Sequence, residues 1–182
     1  MTRTLLYGGS FDPPHLGHVH LSHMAMKKLS FDTVIFVPTF QSPLKEAKPT
    51  EQHHRLAMLE LALKNCDWAT ISTLELERGG TSYTIDTVEA LQGTYDELRL
   101  LLGSDQFEQF TKWHRWEEIT TLANPAIMPR KGFETDDARL LHIDPLSATS
   151  TDIRALVRRG ESIDALVHPE VAQYIAQNKL YL

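Results

Sequence analysis

Four histidines fall within nine residues of the stretch LLYGGSFDPPHLGHVHLSHM, residues 5–24: His15, His18, His20 and His23. Gly8 and Gly9 end the apolar run before them, and Pro13 and Pro14 follow. A metal site, a phosphate site and a helix rich in histidine by chance are the three readings. Pro14 suits a helix entry, which places a helix start near His15. At roughly 100° per residue, His15 and His18 lie about 60° apart on one face of the first turn. Imidazole donors there join unpaired backbone N–H groups at the positive end of the helix dipole, a combination that binds anions. His20 and His23 lie together on another face, so the four rings cannot converge on one ion. Zinc needs three or four convergent ligands, and no H-E-x-x-H is present, so no protein-built metal site is expected. His20 and His23 read as structural.

A second polar cluster, SATSTDIRALVRR, opens another helix near Ser150 or Thr151, with Arg154 over the same turn. Its hydroxyls and N–H groups suit phosphate oxygens; an ordinary Ser/Thr cap beside a solvated arginine is the alternative. Neither G-x-G-x-x-G nor G-x-x-x-x-G-K-[ST] occurs, so phosphate would be held without the dinucleotide fingerprint or the P-loop.

These segments need a frame. Short β-rich runs occupy 4–8, 33–38, 69–74, 98–103, 125–129 and 140–143, and the first, second and fourth are nearly continuous apolar runs, as in strands covered on both faces. Helical periods fall at 15–29, 51–64, 83–93, 114–122, 151–159 and 169–178. Leu56, Leu59, Leu61 and Leu63 crowd one side of the second, and Thr50 stands where its N-cap should be. The alternation predicts an α/β fold: a Rossmann-like, doubly wound, mainly parallel sheet with helices on both faces, three layers in all. It reads as a single domain over 1–182, with the helices from about 151 packed onto it. Ligands of such sheets bind beyond the carboxyl ends of the strands where the strand order reverses. The first and fourth strands would flank that point, and they end in YGGSFDP and LLGSDQF, each a glycine followed by serine and a nearby aspartate.

The whole chain has 182 residues and 42% apolar content, enough for one core. A net charge of −6 argues against a nucleic-acid surface but not against a small anion held by local cations. The only cysteine, Cys66, rules out an internal disulfide and suits a reducing cytosol. No run of 18 apolar residues exists, so no membrane partner is expected and the protein reads as soluble and cytoplasmic.

GGSFDPPHLGH, TSYTIDT, LLGSDQF…W and STDIR, in this order and spacing, resemble the bacterial nicotinate mononucleotide adenylyltransferase family, of the nucleotidyltransferases with an H-x-G-H signature. The resemblance runs from the first strand to about residue 178. It implies that ATP and nicotinate mononucleotide give deamido-NAD and pyrophosphate, with Mg²⁺ carried mainly by the ATP phosphates. His15, His18, Lys45 and Arg154 match catalytic positions. Gly8, Gly9, Ser10, Phe11, Gly103, Asp105, Ser150 and Thr151 join His15, His18 and Arg154 around ATP. Ser10, Lys45, Thr81, Tyr83, Thr84, Asp105, Trp113 and Arg130 match the mononucleotide side; backbone N–H groups at Tyr83 and Thr84 would receive the carboxylate and Trp113 would stack on the ring. Trp113 as a plain core residue is the alternative. In the long loop at 38–50, Leu44 stands where the family often has a histidine. A homo-oligomer is left open. Acceptors such as nicotinamide mononucleotide or pantetheine phosphate are the nearest rivals, and a non-catalytic nucleotide-binding module is the rival of another class.

Overall fold

The computed structural model describes residues 2–44, 48–144 and 148–182. Strands β1 (Arg3–Gly9), β2 (Thr33–Pro38), β3 (Ala69–Ile71), β4 (Glu97–Gly103) and β5 (Ala126–Met128) form one sheet in the order β3-β2-β1-β4-β5. Every neighbouring pair is parallel. The chain builds outward from β1 to β3, then returns to add β4 on the other side of β1. The order therefore reverses between β1 and β4, which leaves a crevice at their carboxyl ends.

Helices α1 (Leu16–Leu29), α2 (Gln52–Leu63), α3 (Leu74–Arg78), α4 (Thr84–Leu91), α5 (Ser104–Phe107), α6 (Trp116–Ala123), α7 (Ser150–Arg158) and α8 (Pro169–Gln177), with a short 3-10 turn at Phe110–Lys112, complete the described elements. Alternation along β1 divides the core. Leu5 and Tyr7 pack with Leu21 and Ala25 of α1 and Leu59 and Leu63 of α2 on one face. Leu6 packs with Ile85 and Val88 of α4 and Ile119 of α6 on the other. Each such leucine, isoleucine or valine, fully buried, contributes about 1.5–3 kcal/mol of hydrophobic free energy, so the sheet holds both helical layers firmly. A third cluster joins Met58 and Ala62 of α2 to Ile153 of α7 and to Val171 and Ile175 of α8, which seats the last two helices against α2.

Four local expectations are corrected. LLHI (140–143) forms no strand: beyond the edge of β5 it makes one bridge, Ile127 to Leu140, and one bond from the Leu141 N–H to the Ile127 carbonyl at 2.8 Å. β3 stops at Ile71 because Leu74 already begins α3. Glu51, not Thr50, is the N-cap of α2, because the Thr50 peptide is used elsewhere: its N–H donates to Asp12 Oδ2 at 3.0 Å and its carbonyl accepts from Arg55 Nε at 2.8 Å. The buried face of α2 is Arg55, Met58, Leu59, Ala62 and Leu63, so Leu56 and Leu61 lie at its margins. Among the described residues no helix is long and apolar enough to cross a membrane.

Candidate active site

The loop after β1 is tightly wound. Phe11 has a left-handed backbone, φ 47°, unusual for an aromatic residue and a local cost of about 1–2 kcal/mol. Its ring tucks beneath Gly9, where a Cβ would sit only 3.1 Å from the ring. Gly9 is thus a glycine because Phe11 folds back against it. The Phe11 ring also meets His18 edge-on, with centroids 5.2 Å apart.

His15 is the N-cap of α1 rather than its first helical residue. Its ring stacks on that of His18, centroids 3.7 Å apart and planes 29° from parallel. The His15 backbone N–H donates to His18 Nδ1 at 3.2 Å, which keeps the His18 ring proton on Nε2. His15 is only 2% exposed, and its Nδ1 has no hydrogen-bond partner among the described residues. Burial, reinforced by the charge of Arg130, pulls its pKa down to about 3. Both facts describe a neutral imidazole beside a cation, aligned but unspent. His20 is exposed and His23 stacks on Trp68 with centroids 4.6 Å apart, so neither joins the pair.

The second helix start lies against the same loop. Thr149 caps α7, accepting from the Asp152 N–H at 3.1 Å. Ser150 Oγ donates to the Pro13 carbonyl at 2.9 Å, and Arg154 Nη1 donates to the Asp12 carbonyl at 2.6 Å. Arg154 Nη2 also reaches Thr151 Oγ1 at 3.2 Å. The amino ends of α1 and α7, distant in sequence, therefore meet at Asp12–Pro13. Two helix dipoles and one guanidinium gathered there suit a polyanion.

Across the switch point, Gly103 ends β4. A Cβ there would lie 2.3 Å from Asp105 Oδ1 and 3.1 Å from Arg130 Nε, so glycine is required for that pair to close. Asp105 and Arg130 approach to 3.7 Å, and both facing atoms are buried without a hydrogen bond. Arg130 also lies beside Tyr7, whose phenol is pushed up by burial and pulled back by that charge. The charge of Arg130 thus acts on both His15 and Tyr7 while its fork faces Asp105.

A cavity of about 500 Å³ opens at the carboxyl ends of β1, β2 and β4. Of the expected residues it is lined by Gly8, Gly9, Ser10, Tyr83, Thr84, Asp105 and Trp113. Trp113 is partly buried, edge-on to Phe110 with centroids 5.3 Å apart, so one flank packs on the core while it lines the cavity. Trp116 instead begins α6 and packs against Phe110. Tyr83 is the N-cap of α4, whose first N–H groups lack partners within the helix. Thr81 bridges to Gln41, tying this segment to the loop after β2. His15, His18, Ser150, Thr151 and Arg154 do not line the cavity; they form a separate cradle beside its β1 wall. Lys45 lies outside the described residues.

Sequence reasoning missed two buried groups. Arg55 sits 1% exposed in the stripe 55, 58, 59, 62, 63, a helical phase visible in the sequence but begun by a charged residue. Glu75, 3% exposed and on the cavity wall, accepts from Thr87 Oγ1 at 2.6 Å, and burial pushes its pKa upward. Nothing in LELER marks it.

The sequence matches the cytidylyltransferase-like family over residues 6–156. It is 36% identical over 197 residues to a probable nicotinate-nucleotide adenylyltransferase of Herpetosiphon aurantiacus, covering 100% of both chains. A protein of the same name from Aquifex aeolicus is 44% identical over 130 residues, covering 70% of this chain and 77% of the relative. In fold it resembles the Plasmodium falciparum nicotinic acid mononucleotide adenylyltransferase complexed with NaAD, at a TM-score of 0.78 and 23% identity, over 100% of this chain and 98% of that one.

Proposed function

The chain belongs to the nicotinate-nucleotide adenylyltransferase branch of the cytidylyltransferase-like family, and from that premise we propose that it joins the adenylyl group of ATP to nicotinate mononucleotide. The products are deamido-NAD and pyrophosphate. The observation that carries this reading is the meeting of the α1 and α7 amino ends at Asp12–Pro13, beside a cavity with an acceptor-sized volume.

ATP lies with its phosphates in the cradle of His15, His18, Ser150, Thr151 and Arg154, over Gly8, Gly9, Ser10 and Phe11, with Gly103 and Asp105 at the β4 wall. The acceptor occupies the cavity, with its ring against Trp113 and its carboxylate on the N–H groups of Tyr83 and Thr84 beside Thr81. A carboxylate accepts from both donors; a carboxamide brings an NH₂ of the wrong polarity and no charge. Ser10, Asp105 and Arg130 complete the acceptor's surroundings, and the family resemblance assigns Lys45 to neutralising phosphate charge.

An oxygen of the acceptor's phosphate attacks the α-phosphorus of ATP. A new P–O bond forms, the α–β bridging bond breaks, and its electron pair leaves on pyrophosphate. The nucleophile is already anionic, so no strong base is needed; the protein aligns the reactants and stabilises charge. His18, donating from Nε2, serves the reacting phosphate, while neutral His15 supports its ring by stacking. Mg²⁺ is assigned to the ATP phosphates, as the family resemblance implies. When bound, it offsets the charge on the phosphoryl oxygens. We assign all 182 residues to one nucleotidyltransferase domain working in the cytosol, whose reducing conditions suit the lone Cys66.

Pyrophosphate release by the purified protein tests this reading. Release is expected only with ATP, Mg²⁺ and acceptor together. Equal or better use of nicotinamide mononucleotide would overturn the choice of acceptor.

A further inference from the structure

Arg55 is buried to 1% exposure, and its fork is spent on three peptide carbonyls. Nε donates to Thr50 at 2.8 Å, Nη1 to Ser10 at 2.8 Å and Nη2, more weakly, to Phe40 at 3.4 Å. These carbonyls belong to the loop after β1, the loop after β2 and the approach to α2. Burying a guanidinium is costly unless its donors are used, and an apolar residue in this stripe would fill the space more cheaply. A guanidinium presents donors from three separate nitrogens in a fixed plane and so reaches three spaced carbonyls at once, whereas a lysine ammonium offers its three donors from a single atom.

The link continues on the far side. The Phe40 N–H donates to Ser82 Oγ at 2.9 Å, and the Ser82 N–H donates to the Gln41 carbonyl at 2.9 Å. Ser82 is buried and immediately precedes the N-cap of α4. One continuous series of hydrogen bonds therefore runs from Ser10 on the donor side, through Arg55 and Phe40, to Ser82 on the acceptor side.

We propose that Arg55 is a positioning residue that fixes the donor-side loop and the acceptor-side segment relative to one another. This rests on the adenylyl-transfer reading for its kinetic consequence, though not for the link itself. Fixing two sites relative to each other serves the step in which both ligands must be aligned. Its loss therefore lowers kcat more than it raises either KM.

The test is a double-variant cycle of Arg55→Lys and Ser82→Ala in the full chain, read by steady-state kinetics, thermal melting and hydrogen exchange. Lysine keeps the charge and loses the fork. Arg55→Lys is expected to stay folded, to lower kcat roughly ten- to a hundredfold and to leave both KM values within about threefold. The double variant should lose less than the product of the single losses, because both break one link. Exchange should quicken together at 10–11, 39–41 and 82. A multiplicative double variant, a loss confined to one substrate's KM, or unaltered exchange at those segments would overturn the proposal. If Arg55→Lys does not fold, Ser82→Ala decides: exchange unaltered at 39–41 overturns the link. Should no form turn over while exchange responds as stated, the adenylyl-transfer reading fails and the link stands.

Discussion

Arg154 and Asp12 lie 142 residues apart, yet Arg154 Nη1 donates to the Asp12 carbonyl at 2.6 Å. Asp12 is equally committed on its side chain, where Oδ1 accepts from the Tyr181 hydroxyl at 2.6 Å and Oδ2 from the Thr50 N–H at 3.0 Å. One residue of the loop after β1 thus fastens α7, the approach to α2 and the C-terminal turn to the histidine pair. The cradle is held by contacts between parts of the chain that no local pattern joins.

Arg154→Met should weaken ATP binding in particular. A hydrogen bond to a charged group contributes about 1.5–3 kcal/mol, so the KM for ATP should rise roughly ten- to a hundredfold. The acceptor's KM, measured at saturating ATP, should change little. An unchanged KM for ATP would place Arg154 outside the cradle.

His18→Ala removes one preorganised donor. A fall in turnover on the order of 10²–10³ is expected, with the melting temperature close to that of the parent. A variant that unfolds instead would make His18 a structural ring only.

Trp113→Ala should weaken the acceptor and leave ATP alone. Aromatic stacking contributes about 0.5–1.5 kcal/mol beyond area, so the acceptor's KM should rise several-fold or more. Titration with deamido-NAD, followed by tryptophan fluorescence, should lose most of its signal. An unaltered acceptor KM contradicts stacking.

His15 predicts an acid sensitivity with a definite sign. Its pKa falls from 6.5 in the unfolded chain to about 3 in the fold. Between those values the unfolded state binds a proton that the folded state does not, so stability rises with pH across that window and is lost as pH falls through it. Above about pH 6.5 the ring is neutral in both states and nothing is lost; the loss approaches about 2 kcal/mol by pH 5. Urea unfolding of His15→Gln at pH 7 and pH 5 should show a smaller acid loss than the parent by about that amount. Parallel losses in the two proteins would contradict it.

Much of this frame was legible because its signals are local. β1, β2 and β4 are apolar runs, and the matching Gly-Ser-Asp ends of β1 and β4 mark the switch point that the strand order confirms. LLHI misled because apolar content does not show whether a sheet edge has room for another strand. Thr50 looked like a cap, but the N–H bond to Asp12 took precedence over local preference. Arg55 was within reach, since the phase of α2 includes it, but a reading that seeks only apolar residues passes over a buried cation. The charge of Arg130 acting on His15, its approach to Asp105 and the Tyr181 bond to Asp12 depend on long-range packing and leave no mark in the sequence.

Pyrophosphate release measured with ATP and Mg²⁺, with and without nicotinate mononucleotide, tests the central claim most directly. The cradle and cavity described here predict release that depends on the acceptor, matches deamido-NAD formed one for one, and falls sharply when nicotinamide mononucleotide is substituted. Release from ATP alone, or none with any acceptor, would contradict it.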